Sequence, residues 1–272
     1  MNTNTDNTLQ IESSRFNLKG EFVISDILLS NNNADTILLL ETLKTKYFPL
    51  ISDNRYESSL FLEGLDIYIN NNKVESSYFP YDIKEILDDL FFDSLTVSNS
   101  NLFIVNDSIN HSIEINNMKI NQINKKDDGL NFNLSMFNGK INKYSIDRFD
   151  SYFELNGTNV ILKNSYLSNE NQYLEGNFDF YLDDNFKINR FNKSNIRYKL
   201  SPEMLNAISS ELRLSDFISG EINFSGSKDN LLIDEASLNT NLFNLNAKID
   251  IENIFSSNFN AKIDLNEISF NE

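Results

Sequence analysis

From about residue 16 to the end, short apolar runs alternate with turns rich in asparagine. Leu60-Phe61-Leu62-Glu63-Gly64-Leu65-Asp66-Ile67-Tyr68-Ile69 runs into Asn70-Asn71-Asn72. Leu130-Asn131-Phe132-Asn133-Leu134-Ser135-Met136 precedes Asn138-Gly139, and Leu245-Asn246-Ala247-Lys248-Ile249-Asp250-Ile251 precedes Asn253. Side chains alternate sides along a strand, so each run offers one apolar and one polar face. Repeated over the chain, this pattern predicts a mainly β fold. It favours a surface or conduit over a catalytic pocket.

Residues 1–15 carry no period and are expected to be a flexible lead. Residues 16–272 are expected to form the quasi-repeating β segment, with an internal division near residue 145. Phe22-Val23-Ile24 and Ile27-Leu28-Leu29 predict a strand pair or one bulged strand, closed by Asn31-Asn32-Asn33. Residues 37–43 predict a strand that Pro49 stops. Two segments carry helical spacing instead. Ile83, Ile86, Leu87 and Leu90 share one helical face after Pro80. Over 201–212, Ser201 suits the N-cap, Pro202 the first helical position, and Met204, Leu205, Ile208 and Leu212 a buried stripe.

Two weaker regularities point to a repeating sheet. Leu162, Leu167, Leu174, Phe178 and Phe180 recur 71 residues on as Ile233, Leu238, Leu245, Ile249 and Ile251. The phrase apolar-x-x-apolar-x-apolar occurs at Leu62-Leu65-Ile67, Phe92-Leu95-Val97, Ile115-Met118-Ile120 and Leu265-Ile268-Phe270. Such spacing inserts one extra residue into a strand and bends it.

Composition sharpens this picture. The 272 residues are 40% hydrophobic with 22 Phe and 11 Tyr, enough for a core. Asparagine numbers 45 against 8 glycines and 3 prolines, so Asn is expected to fill many left-handed turn positions. Codon drift explains the total, and turn chemistry explains the clusters. Net charge is −17 and no basic cluster exists, which argues against nucleic acid and anionic bilayer surfaces. There is no cysteine, so disulfides and thiolate chemistry are excluded. The first residues lack the basic and apolar regions of a signal peptide, and no run reaches the ~18–20 apolar residues of a spanning helix.

Candidate chemistry is sparse. His111, the single histidine, reads as a solvated turn residue in Ile109-Asn110-His111-Ser112. Asp88-Asp89, Asp127-Asp128 and Asp183-Asp184 are adjacent in sequence, so the members of each pair face opposite ways on a strand. No phosphate loop, EF-hand or nucleophile elbow occurs. No enzyme, cofactor or metal is expected. The apolar stripe remains: either a sandwich core, or an open face that stays available to acyl chains.

The chain resembles the AsmA/TamB family of envelope proteins through an ordered set of phrases. These are Leu174-Glu175-Gly176-Asn177-Phe178-Asp179-Phe180, then Ile196-Arg197-Tyr198-Lys199-Leu200, then the 201–212 helix. Ser219-Gly220-Glu221-Ile222-Asn223-Phe224-Ser225-Gly226 follows and leads to Asn230-Leu231. Gly20-Glu21-Phe22-Val23-Ile24-Ser25-Asp26-Ile27-Leu28-Leu29 looks like an early repeat. The resemblance implies an elongated, curved antiparallel sheet forming an open, β-taco-like groove with two short helices. It implies a role in moving phospholipid between inner and outer membranes, or in supporting barrel assembly. Its implied partners are phospholipid acyl chains, an outer-membrane barrel-assembly protein and the remainder of a longer, anchored chain. The place implied is the periplasm. The family's membrane anchor and long body are not seen here, so an incomplete member is expected. Expected groove-lining residues are Leu60, Leu62, Leu130, Phe132, Leu134, Phe178, Phe180, Leu245, Ile249 and Ile251. The alternatives are a secreted β-sandwich or β-solenoid that binds a protein partner, of adhesin or fibre type, and a polysaccharide-active β enzyme.

Overall fold

The structure is a computed structural model that describes residues 8–16, 21–31, 35–49, 56–70, 93–106, 109–126, 129–142, 144–183, 188–204, 216–227, 229–253 and 260–271. It is a mainly β fold with an open sheet of 15 strands whose hydrogen-bonded order is the chain order. The strands are β1 (Thr8–Phe16), β2 (Glu21–Ser30), β3 (Thr36–Pro49), β4 (Tyr56–Asn70), β5 (Ser94–Asn106), β6 (Ile109–Lys126), β7 (Gly129–Ile141) and β8 (Tyr144–Asn156). There follow β9 (Asn159–Asn169), β10 (Gln172–Leu182), β11 (Ile188–Leu200), β12 (Ile218–Ser227), β13 (Asn230–Asn239), β14 (Phe243–Glu252) and β15 (Asn260–Phe270). The chain divides into two compact units, residues 1–127 with 131–148, and residues 128–130 with 149–272.

In the first unit, β1 to β6 pair in sequence, and cross-strand partners share a face. Ile24, Leu43, Leu62, Val97 and Met118 form one row across β2–β6. Ile27, Leu40 and Leu65 lie in a second row across β2–β4. The two rows stand three residues apart on each strand, where strict alternation would turn one of them to the other side. The chain resolves this with a one-residue phase slip between the rows. Asp26, Gly64 and Asn99 sit at the slip with φ of 55°, 66° and 50°. An L side chain adopts that conformation at a cost, so Gly and Asn are the economical residues there. Ser100, at 3% exposure, closes the break: its Oγ accepts from the Leu65 N–H at 3.0 Å and donates to the Ser98 carbonyl at 2.7 Å.

The second unit uses a different count. Among β9–β14, the slip falls on alternate strands, so partners run out of step by one residue. Ile233 and Ala236 on β13 face Ile249 and Ala247 on β14. Ser165 and Leu162 on β9 face Gly176 and Phe178 on β10, with Asn164 at φ 52°. Five of the eight non-glycine residues with positive φ among the described residues are asparagine. Among the described residues, Asn is thus the commonest non-glycine residue where the backbone turns left-handed.

Several expectations need correction. The sheet is not purely antiparallel: β4 and β5 run parallel, with Leu60 opposite Leu95 and Leu62 opposite Val97. The connection between them includes residues 82–91, so the first expected helix lies outside the described residues. Of the second, residues 202–204 are helical and the remainder of 201–212 lies outside them. There the Ser201 Oγ does accept the Met204 N–H at 3.3 Å, as an N-cap does. The expected flexible lead contains β1 from Thr8, a strand exposed along its whole length. His111 belongs to strand β6 opposite Ile104, not to a turn. At Leu62-Leu65 the pairing count with β3 is unchanged, because β3 slips too. At Leu265-Ile268 an extra residue does enter the strand.

Candidate functional site

The second unit carries one continuous apolar face. Its rows follow from cross-strand register. Val160, Phe180 and Phe191 lie in line across β9–β11. Leu231, Ile251 and Ala261 lie in line across β13–β15. Phe224, Ile233, Ile249 and Ile263 make the next row, then Ile196, Ile222, Ala236, Ala247 and Leu265. A further row is Leu167, Leu174 and Tyr198, continued on β13–β15 by Leu238, Leu245 and Ile268. Six strand spacings of about 4.8 Å make this face roughly 29 Å wide.

The packing within it is dense along β10–β14. Phe224, Leu231 and Ile233 form a buried nucleus against Phe178, Phe191, Ile196, Ile222, Ala236, Ile249 and Ile251. Phe191 meets Phe180 at 6.3 Å between ring centres and Phe224 edge-on at 5.3 Å. Tyr198 and Ile218 form a second nucleus with Leu174, Leu200 and Leu238. The Tyr198 ring crosses Gly220, and its hydroxyl donates to the Ser237 carbonyl at 2.9 Å. Burial raises the Tyr198 pKa above the usual phenol value.

The opposite side of the same strands is largely polar. Glu175, Arg197 and Glu221 are cross-strand neighbours, with Arg197 2.8 Å from Glu175 and 3.9 Å from Glu221. Asn177, Asn195, Asn223 and Glu235 form a parallel row, in which the Asn195 side-chain oxygen accepts from Asn177. Lys163 pairs with Glu154 at 3.0 Å, and the hydrogen bond and charge of that carboxylate raise the lysine pKa. The first unit is less cleanly divided. Its second side includes Val23, Phe61 and a stacked Tyr68–Phe103 pair beside Asp66 and Asn101.

Of the expected lining residues, Phe178, Ile249 and Ile251 meet in one cluster, and Phe180 joins them through Phe191. Leu245 lies further along the same face, between Leu238 and Ile268. Leu60 and Leu62 belong to the first unit, beside Leu95 and Val97. Leu130, Phe132 and Leu134 alternate along β7 and share one side of it with buried Met136. The centre of the apolar face was missed from sequence: Ile196, Tyr198, Ile222, Phe224, Leu231 and Ile233. Simple alternation hides it, because Phe191 to Ser194 and Ile233 to Ala236 are three-residue steps.

Among the described residues, no helix is long and apolar enough to cross a membrane. Comparison with protein-family models and with curated proteins finds no match for this sequence.

Proposed function

We propose that this chain is a non-catalytic segment of a cell-envelope protein whose apolar sheet face carries phospholipid acyl chains. In this role it serves lipid passage between inner and outer membranes, or the assembly of outer-membrane barrels. The single observation that supports it is the row-by-row continuity of apolar side chains from β9 to β15. Moving an acyl chain out of water onto such a face returns ~0.8 kcal/mol per buried CH₂. Where successive rows are equally apolar, a chain slides with little change in that term. The polar second side and the net charge of −17 keep an open sheet in water.

The test is mass spectrometry of lipids extracted from the chain after purification without detergent. Stoichiometric phospholipid in the parent chain is expected, and its loss in a folded Phe178→Asp/Ile249→Asp variant. A folded, lipid-free parent chain overturns the proposal. It would shift weight to a module that binds a protein partner.

A further inference from the structure

We infer that Asn156 is a site of self-modification: its side-chain amide closes on the Gly157 nitrogen and reopens with water to aspartate or isoaspartate. Of the 45 asparagines, only Asn138 and Asn156 precede glycine. Glycine has no Cβ to shield its nitrogen or restrict its rotation. In the step, the Gly157 nitrogen bonds to Asn156 Cγ. The Cγ–Nδ2 bond breaks, and Nδ2 leaves as ammonia with the proton given up by the glycine nitrogen. Water then opens the imide ring. Attack at Cγ gives aspartate. Attack at the main-chain carbonyl carbon gives isoaspartate, with the chain rerouted through the side chain. Water is the one co-reactant.

The structure separates the two Asn-Gly pairs. Asn156 ends β8, and Gly157 and Thr158 turn the chain into β9. All three are exposed. Gly157 has a φ of 57°, and a Cβ added there would meet nothing within 4 Å. The turn can therefore swing the Gly157 nitrogen toward Cγ without displacing a neighbour. The Asn156 Nδ2 donates to Glu154 Oε1 at 3.1 Å, a surface contact that water can replace. Asn138 is also exposed, at φ 54°, but it lies inside β7, between β6 and β8. Gly139 beside it is buried, and a Cβ there would come within 2.8 Å of the Glu114 carbonyl oxygen and 3.2 Å of Met136 Cε. Bringing the Gly139 nitrogen onto Asn138 Cγ requires β7 to leave its neighbours. A hairpin tip opens at lower free energy than a strand interior. Either product at residue 156 places a carboxylate where Nδ2 met Glu154, turning a hydrogen bond into repulsion. Isoaspartate also adds a methylene to the main chain at the turn into β9, whose Val160 belongs to the apolar rows.

The test is timed incubation of the whole chain in mildly alkaline buffer, once folded and once in concentrated urea. Mass spectrometry follows the peptides that hold residues 138 and 156, and an isoaspartyl methyltransferase scores isoaspartate. In the folded chain, Asn156 is expected to convert first. Asn138 should be slower by at least about tenfold, the factor for ~1.4 kcal/mol of additional opening free energy. In urea the two sites should convert at similar rates, because both are then free Asn-Gly pairs. A folded Asn156→Gln variant should lose most of the isoaspartate signal. A folded parent chain that leaves Asn156 unconverted overturns the proposal. So does an Asn138 that keeps pace with Asn156 in the folded chain, or a rate ratio that urea leaves unchanged, since either detaches the selectivity from the fold. An Asn156→Gln variant with the parent's isoaspartate level overturns the assignment of the site.

Discussion

Gly220→Ala tests how the second unit is held. A methyl group at this position would run into the Ser237 carbonyl oxygen and sit 2.8 Å from the Tyr198 hydroxyl. The nearest obstacle is backbone, so it cannot swing aside as a side-chain tip does. The β12–β13 pairing must then open locally, or the Tyr198 contact must break. Overpacking of this kind costs about 1–3 kcal/mol, and the rigid oxygen points to about 3. Tyr198→Phe removes only the hydroxyl bond to Ser237, for about 1 kcal/mol. With a urea slope near 2 kcal/mol per molar, the midpoints should fall by roughly 1.5 M and 0.5 M. Urea unfolding followed by circular dichroism measures both, and the two units allow two transitions, of which only one should move. The double variant should be no more stable than Gly220→Ala alone. A neutral Gly220→Ala, or its rescue by Tyr198→Phe, would refute the assignment of the clash to the backbone oxygen. The raised pKa of Tyr198 adds a signature with a definite sign. The folded state holds the phenol proton more tightly than the unfolded state. Its contribution is therefore intact below pH ~10 and lost as pH rises through the folded value. The parent chain should lose more stability above pH 10 than Tyr198→Phe does.

Two further substitutions probe the slips themselves. Ser194 is 1% exposed and its Oγ accepts the Asp179 N–H at 3.1 Å. Ser194→Ala should cost about 1–3 kcal/mol in urea unfolding, because that buried donor loses its partner. Gly64, at φ 66°, should tolerate Asn better than Ala. Both must displace the Glu41 side chain, but Asn adopts left-handed backbone more readily, as Asn99 does here. A smaller midpoint loss for Gly64→Asn than for Gly64→Ala is the expected result.

The sequence made individual strands legible and their pairing much less so. Residues 37–43 read as a strand because the run is apolar, rich in Leu with Ile and Thr, and β3 ends at Pro49 as expected. Phe178, Ile249 and Ile251 were found because β10 and β14 alternate without interruption through those positions. Ile233 was overlooked because β13 takes a three-residue step from Ile233 to Ala236, so a period of two fails there, whereas Ile222 and Phe224 on β12 alternate regularly and carried a signal that was passed over. His111 looked like a turn residue because Asn and Ser flank it. Its place in β6 is set by pairing with β5, a non-local fact. The parallel β4–β5 pair is of the same kind: strand direction depends on the path of the connection, which leaves no mark on either strand.

The slips also bear on how such a chain tolerates change in length. In a regularly alternating strand, inserting or deleting one residue expels every apolar side chain beyond the event. At a slip the same event only converts one pairing count into the other. Both counts coexist in this molecule, equal between β2 and β3 and offset by one between β13 and β14. Single-residue insertions and deletions should therefore accumulate along these lines of Asp, Asn, Gly and Ser. The strand halves on either side should keep their length.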